Sequence, residues 1–188
     1  MKRARAGAVA GLVIGGAVWG APVVGHAQSL SDVFDLIKNA IVSEGPVVWE
    51  GFVHDSNPTP GYQSDWTYQR RIETTNFNYD LDNCDFDFHY RVLTDGSVSS
   101  EVDGGVPLRL ARTIRVATEA QLVSQRDAQS GHPTWASRLQ PEIYDVDVIR
   151  SDGQDNVFSF YDSDTANHVA KLFEQAASLC GVSTVSSY

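Results

Sequence analysis

Cysteine occurs only twice in the 188 residues, methionine once, and basic residues number 14 against 24 acids. Each shortage excludes something. Cys84 and Cys180 lack the CxxC spacing and nearby histidine of a thiolate metal site. The acidic surplus repels nucleic acid and anionic lipid by summed Coulomb repulsion, so a nucleic-acid partner is not expected. The chain contains no G-x-S-x-G elbow, no HExxH pair and no glycine-rich phosphate loop. No cofactor, metal site or catalytic residue is therefore assigned. The longest apolar run, AVAGLVIGGAVWG, is interrupted by glycines, followed by Pro22, and falls short of the ~20 strongly apolar residues a bilayer demands. Stable membrane insertion is not expected.

What that run resembles is the middle of an export signal. Lys2, Arg3 and Arg5 precede it, and Gly25-His26-Ala27 supplies small residues before a cut at Gln28. The expected organisation is a cleavable leader over 1–27, one globular domain over 28–181 and a flexible tail over 182–188. Export would place the protein in the periplasm or outside the cell. Loss of the leader removes three cations from 14 and no acid from 24, leaving a net charge of −13.

In an oxidising compartment two cysteines pair. Their settings agree. The stretch CDFDFHYRV alternates, placing Cys84, Phe86, Phe88, Tyr90 and Val92 on one strand face. The segment DSDTANHVAKLFEQAASLCG reads as a helix whose apolar stripe is Ala166, Val169, Ala170, Phe173, Ala177 and Cys180, capped by Asp162, Ser163 or Asp164 and ended by Gly181. Both sulfurs face one interior. A second helix is expected in LSDVFDLIKNAIVSEGP, capped by Ser29 or Ser31.

Strand signals occupy 47–54, 66–73, 76–82, 84–92, 106–116, 142–149 and 156–161, with turns at Asp95-Gly96 and Asp152-Gly153. The loop SNPTPGYQS reads as mobile. The expected class is α+β: about seven mainly antiparallel strands curled into one barrel or sandwich, with an N-terminal helix and a C-terminal capping helix. The aspartate-led helix ending Leu-Cys-Gly, with a second cysteine on an earlier strand, resembles an uncharacterised group of exported bacterial proteins. That resemblance implies a pleckstrin-homology-like barrel and transfers no functional residue.

Asp85, Asp87 and His89 share the opposite face of CDFDFHYRV. A D-x-D-x-H metal reading fails on length, because Asp85 and His89 stand roughly 13 Å apart along a strand rising ~3.3 Å per residue. They read as a solvated acidic face. The histidines otherwise lie in different elements, with His168 expected at the rim of the terminal helix. The stretch DAQSGHPTWASRLQP, long for a connection, draws attention through His132, Trp135 and Arg138. These are the candidate contacts for a protein, peptide or sugar partner, unless the tryptophan plugs the barrel mouth or the stretch hides a short helix. The functional expectation is an exported binding or interaction module. The alternative is a hydrolase-like or metal-dependent enzyme with a site assembled from separate strands.

Overall fold

The computed structural model describes residues 28–55, 59–61, 64–130 and 135–187. The leader read at 1–27, His132 and most of the loop 56–64 lie outside them. In chain order the elements are α1 (Leu30–Glu44), β1 (Val47–Asp55), β2 (Asp65–Asp80), β3 (Asp85–Thr94), β4 (Ser97–Pro107), a short 3₁₀ turn (Leu108–Leu110), β5 (Ala111–Thr118), α2 (Glu119–Ser130), β6 (Trp135–Gln140), β7 (Tyr144–Arg150), β8 (Asp155–Phe160), α3 (Ser163–Leu179) and β9 (Val185–Ser187). The fold is α+β.

Local chemistry explains the helices. In α1 the Ser29 hydroxyl accepts from the Asp32 amide at 3.2 Å while the Asp32 carboxylate accepts from the Ser29 amide at 3.0 Å. These reciprocal bonds satisfy two orphan donors of the first turn. Gly45, at φ 69°, ends the helix in a backbone region that favours glycine. Helix α3 starts at Asp162, whose carboxylate accepts from the Thr165 amide at 2.8 Å. The expected stripe is buried from Ala166 to Ala177, Leu172 and Ala176 widen it, and Cys180 is half-buried at the C-cap.

The strands form two sheets. One has the order β4-β3-β2-β1-β6 and is antiparallel throughout; the other has the order β8-β7-β5-β9, with β9 parallel to β5. Among the described residues these sheets do not close into one barrel, since β4 and β8 are outer strands of separate sheets. The expected chain path changes in several places. The signals at 66–73 and 76–82 merge into the single strand β2, which ends at Asp80 and is carried through a bulge between Thr75 and Asn78 where Asn76 takes φ 54°. Residues 106–116 are divided by the 3₁₀ turn, and the polar segment 97–107 pairs with β3 as β4. Helix α2 occupies residues 119–130, between the strand signals at 106–116 and 142–149. Residues 185–187, from the segment read as a flexible tail, pair with β5 as β9.

Phe86 lies at the centre of the core. Its ring meets Phe34 of α1 at 5.4 Å, Phe77 and Tyr79 of β2 at 5.6 and 5.7 Å, Phe173 of α3 at 5.9 Å and Phe158 of β8 at 6.4 Å. One ring thus touches both sheets and both terminal helices. Two residues away, Cys84 is joined to Cys180, with Cα atoms 6.1 Å apart.

Closing a loop of this length stabilises a fold by about 4.7 kcal/mol on the chain-entropy model. The double variant Cys84→Ala/Cys180→Ala is expected to lose stability of that order, read as a lower urea midpoint that added reductant no longer moves. Phe86→Ala is expected to destabilise by about 3–5 kcal/mol, because the void it leaves borders four elements that cannot all collapse inward.

Candidate functional site

Alternation along β7 gives the four-stranded sheet two unlike faces. Val146 and Val148 turn toward α3 and the main core, whereas Asp145 and Asp147 turn the other way. Both aspartates are nevertheless buried, at 0% and 1% exposure. The cover is α2, laid across this face by a capping box: the Gln121 amide donates to the Thr118 hydroxyl at 3.2 Å and the Thr118 amide donates to Gln121 Oε1 at 3.0 Å. Glu119, the first residue of α2, is the third buried charge among the described residues.

Between α2, this sheet face and β2–β3 lies a cleft of about 330 Å³. Arg70, Ile72 and Tyr90 form one wall, Glu119, Leu122, Gln125, Arg126 and Gln129 the second, and Arg115, Asp147, Asp155, Val157 and Ser159 the floor. Its volume falls within the range of small-molecule sites. Arg115 holds Asp147 with two nitrogens, Nε at 2.9 Å and Nη2 at 2.7 Å, both on Oδ2. Arg126 reaches Glu119 at 3.1 Å, and Arg70 approaches the same carboxylate at 3.8 Å while its guanidinium lies 6.0 Å from the Trp49 ring. Those contacts leave buried atoms over. Asp147 Oδ1 has no donor, and Arg70 Nε has no acceptor.

Asp145 sits beneath the cleft and is not part of its lining. Ser159 donates to its Oδ1 at 2.6 Å. Burial, with the Glu119 carboxyl against it, pushes Asp145 up to about 8. Two carboxyl groups in contact share a proton, since both cannot ionise there at low dielectric. Burial also raises Asp147, and Arg115 opposes that rise. Tyr90 is pushed up to about 12, chiefly by burial, and is a neutral phenol at physiological pH.

The residues singled out from the sequence fall elsewhere. His132 lies outside the described residues. Trp135 and Arg138 belong to β6, at backbone positions opposite Asp55 and Phe52 of β1. Among its described residues, the stretch read as a long loop comprises the end of α2 and an outer strand, which supplies β1 with its second ladder. His89 lies between Asp103 at 2.9 Å and Glu101 at 3.1 Å on β4. Hydrogen bonds to Asp103 and then Glu101 raise its pKa. Asp85 is raised, mainly by burial. Among the described residues no group of three His, Cys, Asp or Glu could hold a metal ion. His168 is exposed on α3, as expected.

Sequence reading missed the cleft entirely. The one available signal was Thr118-Glu-Ala-Gln121, a capping box that marks a helix start. No family model matches the chain, and neither a curated protein nor a solved structure matches it.

Unfolded Asp145 titrates near 3.8 and the folded group near 8, so between those values the folded state holds the extra proton. Stability from this group is full below about pH 4 and is lost as pH rises to about 8. Asp145→Asn keeps a neutral donor beside Glu119. Relative to the parent it is expected to remove this slope and to be more stable at pH 8 by more than about 1.4 kcal/mol, the equivalent of one pKa unit. Urea denaturation at a series of pH values between 4 and 9 checks this.

Proposed function

We propose that this protein is an exported binding module that holds a small polar ligand in the cleft beneath α2. One observation carries the reading. Asp147, almost wholly buried, forms part of the cleft floor and keeps Oδ1 without a donor although its Oδ2 accepts from both Nε and Nη2 of Arg115. An unmet buried acceptor costs about 1–3 kcal/mol, which a ligand bearing N–H groups offsets on binding.

Export is supported by the leader pattern and by the Cys84–Cys180 bond, which suits an oxidising compartment. No described helix is long and apolar enough to cross a membrane. Kinship with the exported bacterial group that has pleckstrin-homology-like barrels is supported by the aspartate-led α3, closed by a cysteine and tied to the head of β3; a closed barrel is not part of that support.

Convergence of Glu119, Asp145 and Asp147 favours the enzyme reading in one respect, since acids with unlike environments can divide acid and base roles. Access argues the other way. The protonated Asp145 lies below the lining, and among the described residues no histidine lines the cleft. Binding therefore explains the geometry with fewer parts than hydrolysis does.

Thermal denaturation of the purified protein against a panel of polar metabolites tests the proposal. At least one compound is expected to raise the melting temperature, with the shift abolished in Gln125→Trp, where an indole on exposed α2 fills the cleft, and retained in Trp135→Ala. Stabilisation lost in Trp135→Ala and kept in Gln125→Trp would move the site to the β6 region and overturn the proposal.

A further inference from the structure

The cleft does not stop at its own walls. A neighbouring groove of about 270 Å³ shares Tyr90, Asp155 and Val157 with it and runs out between β8 and the β3–β4 hairpin. The two parts differ in character. The inner part carries most of the charged groups, whereas the outer part sets Phe88, Val102 and Gly104 on one side against Asn156 on the other, with Ser100 at its rim and Val102 51% exposed. Glycine matters at position 104, because a Cβ there would stand 3.1 Å from the Phe88 ring and press on the groove's apolar wall.

The two orphaned atoms of the inner part have opposite needs. Asp147 Oδ1 needs a donor, and Arg70 Nε needs an acceptor. A simple amine would satisfy the first and leave the second unmet; a simple carboxylate would do the reverse. The lining charges already balance, Arg70, Arg115 and Arg126 against Glu119, Asp147 and Asp155. A ligand with net charge would upset that balance at low dielectric. A zwitterion would not.

Resting on the reading of the cleft as a small-ligand site, we propose that its ligand is a free α-amino acid with an apolar side chain. The ammonium group donates to Asp147 Oδ1, the carboxylate accepts from Arg70, and the side chain follows Val157 into the groove against Phe88 and Val102. Carboxylate and ammonium then select for each other's presence, since a site built for both leaves a buried group unpaired when either is absent.

Isothermal titration with L-leucine and its two truncated analogues, 3-methylbutylamine and 4-methylpentanoate, tests this. Leucine is expected to bind one per chain, with each analogue weaker by at least about tenfold. Asp147→Asn should weaken leucine to a similar extent. Val102→Asp, at an exposed position that the core does not use, should weaken it at least about fivefold with an unchanged melting temperature for the free protein. If either analogue binds as tightly as leucine, the zwitterion assignment is overturned while the cleft remains a binding site. If leucine binds and neither variant weakens it, the assigned position is wrong. If none of the three binds, the amino-acid assignment fails, and the metabolite panel against Gln125→Trp decides separately whether the cleft binds anything.

Discussion

Phe86 and the neighbouring disulfide hold the two halves of this protein together. The five-stranded and four-stranded sheets share no hydrogen-bonded ladder among the described residues, so their relative placement depends on side chains. Phe86 supplies the contact, with Phe34 and Phe173 from the two terminal helices packed on the same ring as Phe158 from the second sheet. Cys84 stands at φ 62° at the start of the strand that carries Phe86, and its bond to Cys180 fixes that strand to the end of α3. Packing gives the position; the covalent link limits how far the unfolded chain can stray from it.

Holding the sheets by one aromatic centre leaves a gap elsewhere. Away from Phe86, the β2–β3 surface, the floor formed by β5, β7 and β8, and α2 leave the cleft between them. A small second core of Val47, Trp49, Ile72, Val92 and Ile143 supports one side of this opening. Tyr90 packs against both cores and also lines the cleft and the groove beyond it. The cleft is thus a consequence of how two sheets meet, and its charged residues sit on strands and on α2. Such residues are positioned more accurately than loop residues would be.

How far this was legible from residues alone depended on whether a pattern carries its own address. The helices did: caps at Ser29 and Asp162 and stripes at helical spacing determine both extent and buried face. The cysteine pair did too, because each sulfur shares a face with core residues. Strand identity was harder. Ser97–Pro107 contains few β-branched or aromatic residues, and its pairing is explained by neighbours, with Gly104 leaving room for Phe88. The acids were harder still. CDFDFHYRV and IYDVDVIR have the same alternation, yet Asp87 is only half-buried while Asp145 and Asp147 are sealed. What separates them is α2 above and Arg115 alongside, both distant in sequence. Period-two alternation says that acids share a face and leaves open what covers it.

Strand β9 has a consequence for how the molecule behaves among its own copies. From Cys180 the chain turns at Gly181, where the Val182 amide donates back to the Ala177 carbonyl at 2.9 Å, and then lies beside Thr113–Arg115. There it screens an otherwise naked flank of β5 from strands of neighbouring molecules. Because it departs from a sulfur-anchored helix end, this short guard stays close to the flank it protects. Clipping or displacing residues 185–187 would turn the flank into an adhesive seam, so the bond that fastens the interior also helps keep the protein dispersed.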